Sequence, residues 1–183
     1  MSVVFALATP PAKSAICVFR VSGDGCLKKL KVLFGSKDFD FGRFCVSDFL
    51  DGGSVIDRVG LVVFKGPNSY TGEDSFEVYA HGGLGIISSI IRVFKRVGFD
   101  EAPGGEFTKR AFLNDKINLI EAEAVSDLID STDERGVLLS GKSLFGELSK
   151  NIVLFSEEID FIRVRVEAEI DFSDEGDDYM DGQ

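Results

Sequence analysis

From Ser75 to His81 the chain alternates strictly. Phe76, Val78 and Ala80 fall on one side of an extended backbone, and Glu77, Tyr79 and His81 on the other. The turn formers Gly66, Pro67, Asn68 and Gly72 and the acids Glu73 and Asp74 precede this run, and Gly82-Gly83 follows it into a helical pattern. A segment of this kind needs a sheet with one dry face. With the apolar side in the core, a carboxylate, a phenol and an imidazole share a surface that is not core, which is the pattern of a pocket wall.

The neighbouring segments supply such a sheet. Residues 2–8 and 15–22 read as strands separated by Pro10-Pro11, and residues 26–34 carry leucines and lysines at helical spacing. Residues 44–50 and 54–64 read as strands joined by Asp51-Gly52-Gly53, a hairpin connection. Residues 84–97 place Ile87, Ile90, Ile91 and Phe94 at steps of three and four, an amphipathic helix. The break at Pro103-Gly104-Gly105 then precedes a short helix over 106–113. This succession predicts an α+β domain over residues 1–116.

Beyond it the pattern is nearly pure helix, giving a second, helical domain over 117–183. One helix ends near Ser131, and Thr132 is placed to cap another that continues without proline to Phe172. Phe145, Leu148, Ile152, Phe155, Ile159, Ile162 and Val166 form a heptad-like apolar seam that requires a covering partner.

Composition narrows the function classes. With 44% hydrophobic and 28% charged residues the chain resembles a soluble globular protein, and every apolar run is broken by charge before it reaches membrane-spanning length. Met1 to Ala8 carries no charge, unlike a secretory signal, and Cys17, Cys26 and Cys45 fit neither a disulfide framework nor a zinc pattern. A reducing, cytoplasmic setting is expected. The net charge is −11, yet Glu167, Glu169, Asp171, Asp174, Glu175, Asp177, Asp178 and Asp181 all follow the last basic residue, Arg165. The body is therefore nearly balanced, and direct nucleic-acid binding needs a local basic face. Arg92, Lys95 and Arg96, or Lys109 with Arg110, are the candidates. The acidic end without a helix stop predicts a piece of a longer protein.

Several motifs have a plain reading beside a functional one. Residues 136–143, GVLLSGKS, match the phosphate-binding loop letter for letter. A helix cap rather than a strand precedes them, and Val137, Leu138 and Leu139 suit a packed helix better than a phosphate cradle. Arg20 shares a face with Ile16 and Val18, as an edge-strand arginine reaching solvent or as a cation lining a pocket for an anion. Glu77 is either a solvated carboxylate or one facing a planar array of N–H donors. His81, the sole histidine, is expected to hydrogen-bond loop backbone, with no metal site around it. Glu73 and Asp74 read as turn caps, and Glu106 with Arg110 as an exposed ion pair.

Residues 8–23 (ATPPAKSAICVFRVSG), 66–83 (GPNSYTGEDSFEVYAHGG), 104–116 (GGEFTKRAFLNDK), 118–131 (NLIEAEAVSDLIDS) and 167–175 (EAEIDFSDE) resemble, in order, the amino-terminal part of the tRNA-uridine-modifying GTPase family known as MnmE or TrmE. The resemblance implies a folate-binding, aminomethyltransferase-like domain followed by a helical arm. It implies a tetrahydrofolate carrying a one-carbon unit, in the 5-formyl or methylene form, held at Arg20, Glu77 and Lys116, with no catalytic residue in this part of the family. Glu77 would accept from the pterin N–H groups, and Arg20 or Lys116 would meet the carboxylates of the glutamate tail. It further implies a homodimer, an MnmG-like flavoprotein partner, tRNA as substrate at the wobble uridine, and covering helices for the seam. GTP, Mg and K would bind only in a GTP-binding domain beyond residue 183. The family's Arg-Pro-Gly-Glu is replaced here by Pro103-Gly104-Gly105-Glu106, so no arginine serves in that loop. The alternative is a ligand-free dimerisation scaffold.

Overall fold

A computed structural model of the chain describes residues 2–35 and 38–173. It divides into two compact units, Met1–Ile117 and Asn118–Gln183.

The first unit is α+β. Its strands are β1 (Val4–Leu7), β2 (Ile16–Ser22), β3 (Phe44–Asp51), β4 (Ser54–Phe64), β5 (Ser75–His81) and β6 (Asp100–Glu101), in the sheet order β3-β4-β5-β2-β1-β6. All neighbours are antiparallel except β1 and β6. The hairpin closes with Asp51 opposite Ser54, and Gly52 and Gly53 take φ of 59° and 94°, the left-handed geometry that a two-residue turn demands. A 3-10 turn (Cys26–Lys29), α1 (Leu30–Phe34) and α2 (Leu84–Arg96) contribute to the core, and α3 (Glu106–Leu113) follows β6.

The alternation in β5 decides which face is dry. Phe76, Val78 and Ala80 are buried with Phe19 and Val21 of β2 and Leu61 and Val63 of β4. Against them α2 sets Ile87, Ile90, Val93 and Phe94. Phe94 is the hub, with the rings of Phe5, Phe19, Phe49, Phe76 and Phe99 between 5.2 and 6.3 Å away, mostly tilted or edge-on. The free thiols of Cys17 and Cys26 belong to this core.

Two expectations fail here. β2 is an interior strand between β1 and β5, so Arg20 is not an edge-strand residue. The cations of α2 form no open basic face: Arg92 and Arg96 both grip Asp51 at the hairpin turn, and Lys95 pairs with Glu101 at 2.7 Å.

The second unit holds α4 (Leu119–Asp130), α5 (Glu134–Leu144) and α6 (Glu147–Ser173). Asn118 and Glu121 form a reciprocal capping box at the start of α4. Asp133, not Thr132, caps α5 through the Gly136 amide. The single long helix is also corrected: the chain breaks at Gly146, where φ is 81°, a conformation that glycine adopts without steric cost. The GVLLSGKS stretch lies in α5, so its amide groups are committed to a helix, and Lys142 approaches Glu147 at 3.9 Å instead of a phosphate. Leu148, Ile152, Phe155, Ile159, Ile162 and Val166 of the seam are exposed on α6. The acids Asp174, Glu175, Asp177, Asp178 and Asp181 lie outside the described residues. Among the described residues, no helix is long and apolar enough to cross a membrane.

Phe94→Ala is expected to destabilise the first unit by about 3–5 kcal/mol, because the surrounding rings cannot collapse into the space; chemical denaturation measures it. Asp51 gives a pH-dependent test. The hydrogen bond from Arg96 foremost holds its carboxyl below the ordinary 3.8. A depressed folded-state pKa contributes stability above the ordinary value, lost as pH falls through the depressed one. Asp51→Asn should therefore melt lower than wild type near neutrality, with the gap closing in acid.

Candidate ligand-binding site

Antiparallel pairing of β2 with β5 sets Arg20 directly opposite Glu77. Both side chains leave the sheet on the face away from the phenylalanine core, and Arg20 Nε donates to Glu77 Oε1 at 2.9 Å. Tyr79, two residues along the same face, donates its hydroxyl to Glu77 Oε2 at 2.5 Å. That bond, followed by burial, pushes the phenol up to about 12, so Tyr79 remains a donor throughout the physiological range. Each carboxylate oxygen keeps a further acceptor position. Glu77 is thus an oriented acceptor rather than a loose surface acid.

Loop residues 65–74 build the adjacent wall. Asp74 closes the loop by accepting from the Gly66 amide and pairing with Lys65 at 2.7 Å. Ser69 Oγ donates to the Glu73 carbonyl, and Asn114 Nδ2 donates to the Thr71 carbonyl, each at 2.6 Å. The Tyr70 ring lies 6.0 Å from the Arg20 guanidinium, and its hydroxyl meets Thr108 of α3 at 3.1 Å. Lys116, just after α3, reaches back to the Pro67 carbonyl at 3.1 Å.

These pieces enclose a cavity of about 350 Å³ that Arg20, Glu77 and Lys116 all line. Phe64, Tyr70 and Phe107 supply aromatic wall, while Asn68, Ser69 and Thr71 supply polar groups. The arrangement suits a flat ligand with a donor-bearing edge and an anionic end. Of the two lining cations, Arg20 is committed to Glu77, whereas Lys116 bonds a neutral carbonyl.

Three sequence readings need correction. Tyr79 and His81 share the face of Glu77, but of the three only Glu77 is among the cavity's lining residues, and Tyr79 acts through it. The Nδ1 of His81 lies 2.8 Å from Asp57 Oδ1, a carboxylate on β4, and not on loop backbone. Asp74 caps its turn through the Gly66 amide, but Glu73 does not; it points inward, accepting from Ser22 Oγ at 2.7 Å and from Arg110 at 3.0 Å. Arg110 is not part of an exposed pair with Glu106: it is 3% exposed and binds Glu106 and Glu73 together. Burial by itself would lower its pKa, but hydrogen bonds to Glu106 and Glu73 outweigh that and raise it. The missed signal was position, since Arg110 adjoins the buried Ala111 on a short helix. Among the described residues no cluster of His, Cys, Asp or Glu is placed to hold a metal ion.

The fold is thus an α+β sheet with one dry face and, on the other, a cavity walled by a fixed carboxylate, two cations and aromatic rings. Residues 3–116 match the protein family described as GTP-binding protein TrmE N-terminus, and the chain belongs to that family. It is 38% identical over 179 residues to the tRNA modification GTPase MnmE of Legionella pneumophila (strain Corby), covering 97% of this chain and 40% of that protein. It is 40% identical over 180 residues to the tRNA modification GTPase MnmE of Shewanella denitrificans, covering 97% of this chain and 39% of that one. The chain thus spans about 40% of the length of these curated relatives.

Gly72 offers a test of the loop. Its φ is 77°, and an added Cβ would lie 3.2 Å from Asn114 Cβ and 3.3 Å from Lys116 Cγ. Gly72→Ala is expected to cost about 1–2 kcal/mol from the left-handed backbone, before any displacement of Lys116. Urea denaturation measures it.

Proposed function

We propose that the first unit binds a tetrahydrofolate carrying a one-carbon unit, in the 5-formyl or methylene form, and positions it as the donor in a tRNA modification GTPase. The observation that carries this reading is the convergence of Arg20, Glu77 and Lys116 on one cavity with aromatic walls. Its volume falls in the range of small-molecule sites, about 300–1,000 Å³.

Each group has a defined task. Glu77 accepts from the adjacent amino and ring N–H groups of the pterin through its remaining lone pairs. Arg20 and Tyr79 keep that carboxylate oriented, so Arg20 serves the head of the ligand through Glu77. Lys116, held only by a carbonyl, takes a carboxylate of the glutamate tail. The rings of Tyr70 and Phe107 offer surfaces for the flat ring system. The residues hold and orient the donor, and bond chemistry is left to the remainder of the assembly. That remainder comprises an MnmG-like flavoprotein, tRNA modified at its wobble uridine, and GTP with Mg and K in the part of the relatives that this chain does not span.

The unit is also proposed to form a homodimer in the cytoplasm. The edge strand β3 exposes Phe44 and Val46 to solvent, a surface that a second copy would cover. The exposed seam of α6 favours a second reading, a ligand-free assembly scaffold.

Calorimetry with 5-formyltetrahydrofolate separates the two. Wild type should bind, and Glu77→Ala should weaken binding by about tenfold or more, since charge-assisted hydrogen bonds are lost. A dimer by light scattering that releases no heat and whose melting ignores folate would establish the scaffold instead.

A further inference from the structure

Arg110 is not among the residues lining this cavity, yet it ties the end of β2, the loop and α3, which build it, to one another and to the N-terminal segment. Its Nε donates to Glu106 Oε1 at 2.9 Å within α3. Its Nη1 donates to the Ser2 carbonyl at 2.9 Å and to Glu73 Oε2 at 3.0 Å, with the Ser22 carbonyl at 3.5 Å. Ser22 Oγ also donates to Glu73 Oε2, so the Thr71 hydroxyl is the donor in its 2.6 Å bond with Ser22. The Glu73 amide in turn lies 3.3 Å from Thr71 Oγ1. The Glu73 and Arg110 side chains are 9% and 4% exposed.

We propose that Arg110 is the positioning residue of this cavity. Through Glu73 it fixes the loop that presents Asn68, Ser69, Tyr70 and Thr71 to the ligand, and through α3 it sets Phe107 and Lys116 against that loop. The physical reason is the buried Glu73 carboxylate. Deprived of a planar multi-donor partner it has either to take up a proton or to move to water, and moving carries the loop with it. Lysine keeps the charge but offers no fork that can serve Glu106, Glu73 and a backbone carbonyl at once. The ligand-affinity part of the proposal rests on the folate reading; the loop-fixing part does not.

Hydrogen exchange and folate titration on Arg110→Lys and Glu73→Gln test it. The amides of Gly72 and Glu73 are expected to exchange roughly tenfold faster or more, while those of Val21 and Val78 in the strands stay near wild type. Affinity for 5-formyltetrahydrofolate is expected to fall roughly tenfold, because the ligand must then order the loop itself. Unchanged loop exchange in both variants would overturn the proposal, as would exchange rising equally in loop and strands, which marks a general stability role. Should Arg110→Lys fail to fold, Glu73→Gln decides. Should wild type bind no folate, the folate reading falls while the exchange comparison still decides whether Arg110 holds the loop.

Discussion

The antiparallel register between β2 and β5 is the constraint on which the cavity rests. Phe19 and Val21 on one strand and Phe76 and Val78 on the other are all driven into the same core. Because side chains alternate with a period of two, that burial forces Arg20 and Glu77 out on the opposite face. Their pairing across the strands follows from the same register. A slip of one residue would turn either the guanidinium or the carboxylate toward the rings around Phe94, where it could not be solvated. The hydrophobic effect therefore specifies the position of the polar site, although no apolar residue of that core need touch a ligand.

The loop wall has a different origin. Residues 66–74 have little apolar content, and their conformation is held by polar closure: Asp74 on the Gly66 amide, Ser69 on the Glu73 carbonyl, and Glu73 on Ser22 and Arg110. Buried charges of this kind add little net stability against an apolar replacement, and removing one partner is costly. Their contribution here is to select a single loop conformation. The flat ligand proposed to lie between strand and loop would need that, since a loop ordered only by the ligand would weaken its binding.

Much of the architecture was legible from local pattern. Ser75–His81, Ser54–Phe64 and Glu106–Leu113 have the same bounds in the structure as in the alternation and spacing of their residues. The Asp51-Gly52-Gly53 turn follows from a backbone geometry that glycine favours. Errors gathered where a distant partner decides the outcome. Arg92 and Arg96 look like a solvated basic face until Asp51 arrives at the end of a hairpin some forty residues earlier in the chain. Arg110 looks like half of an i,i+4 surface pair until Glu73 and the Ser2 carbonyl enclose it. The helix break at Gly146 was obscured by an apolar periodicity that runs through it on both sides.

What the sequence determined by itself was most of the elements, the dry and wet sides of the β5 strand, and the family. These depend on steric preferences and on periods of two and 3.6 residues, which act over a few neighbours. Only the tertiary structure decided that β2 lies inside the sheet, that Arg20, Glu77 and Lys116 border one cavity, and that Arg110 is buried beneath its loop. Those outcomes depend on contacts between residues 37 to 108 positions apart, and no local pattern encodes which distant carboxylate or carbonyl a given cation will meet.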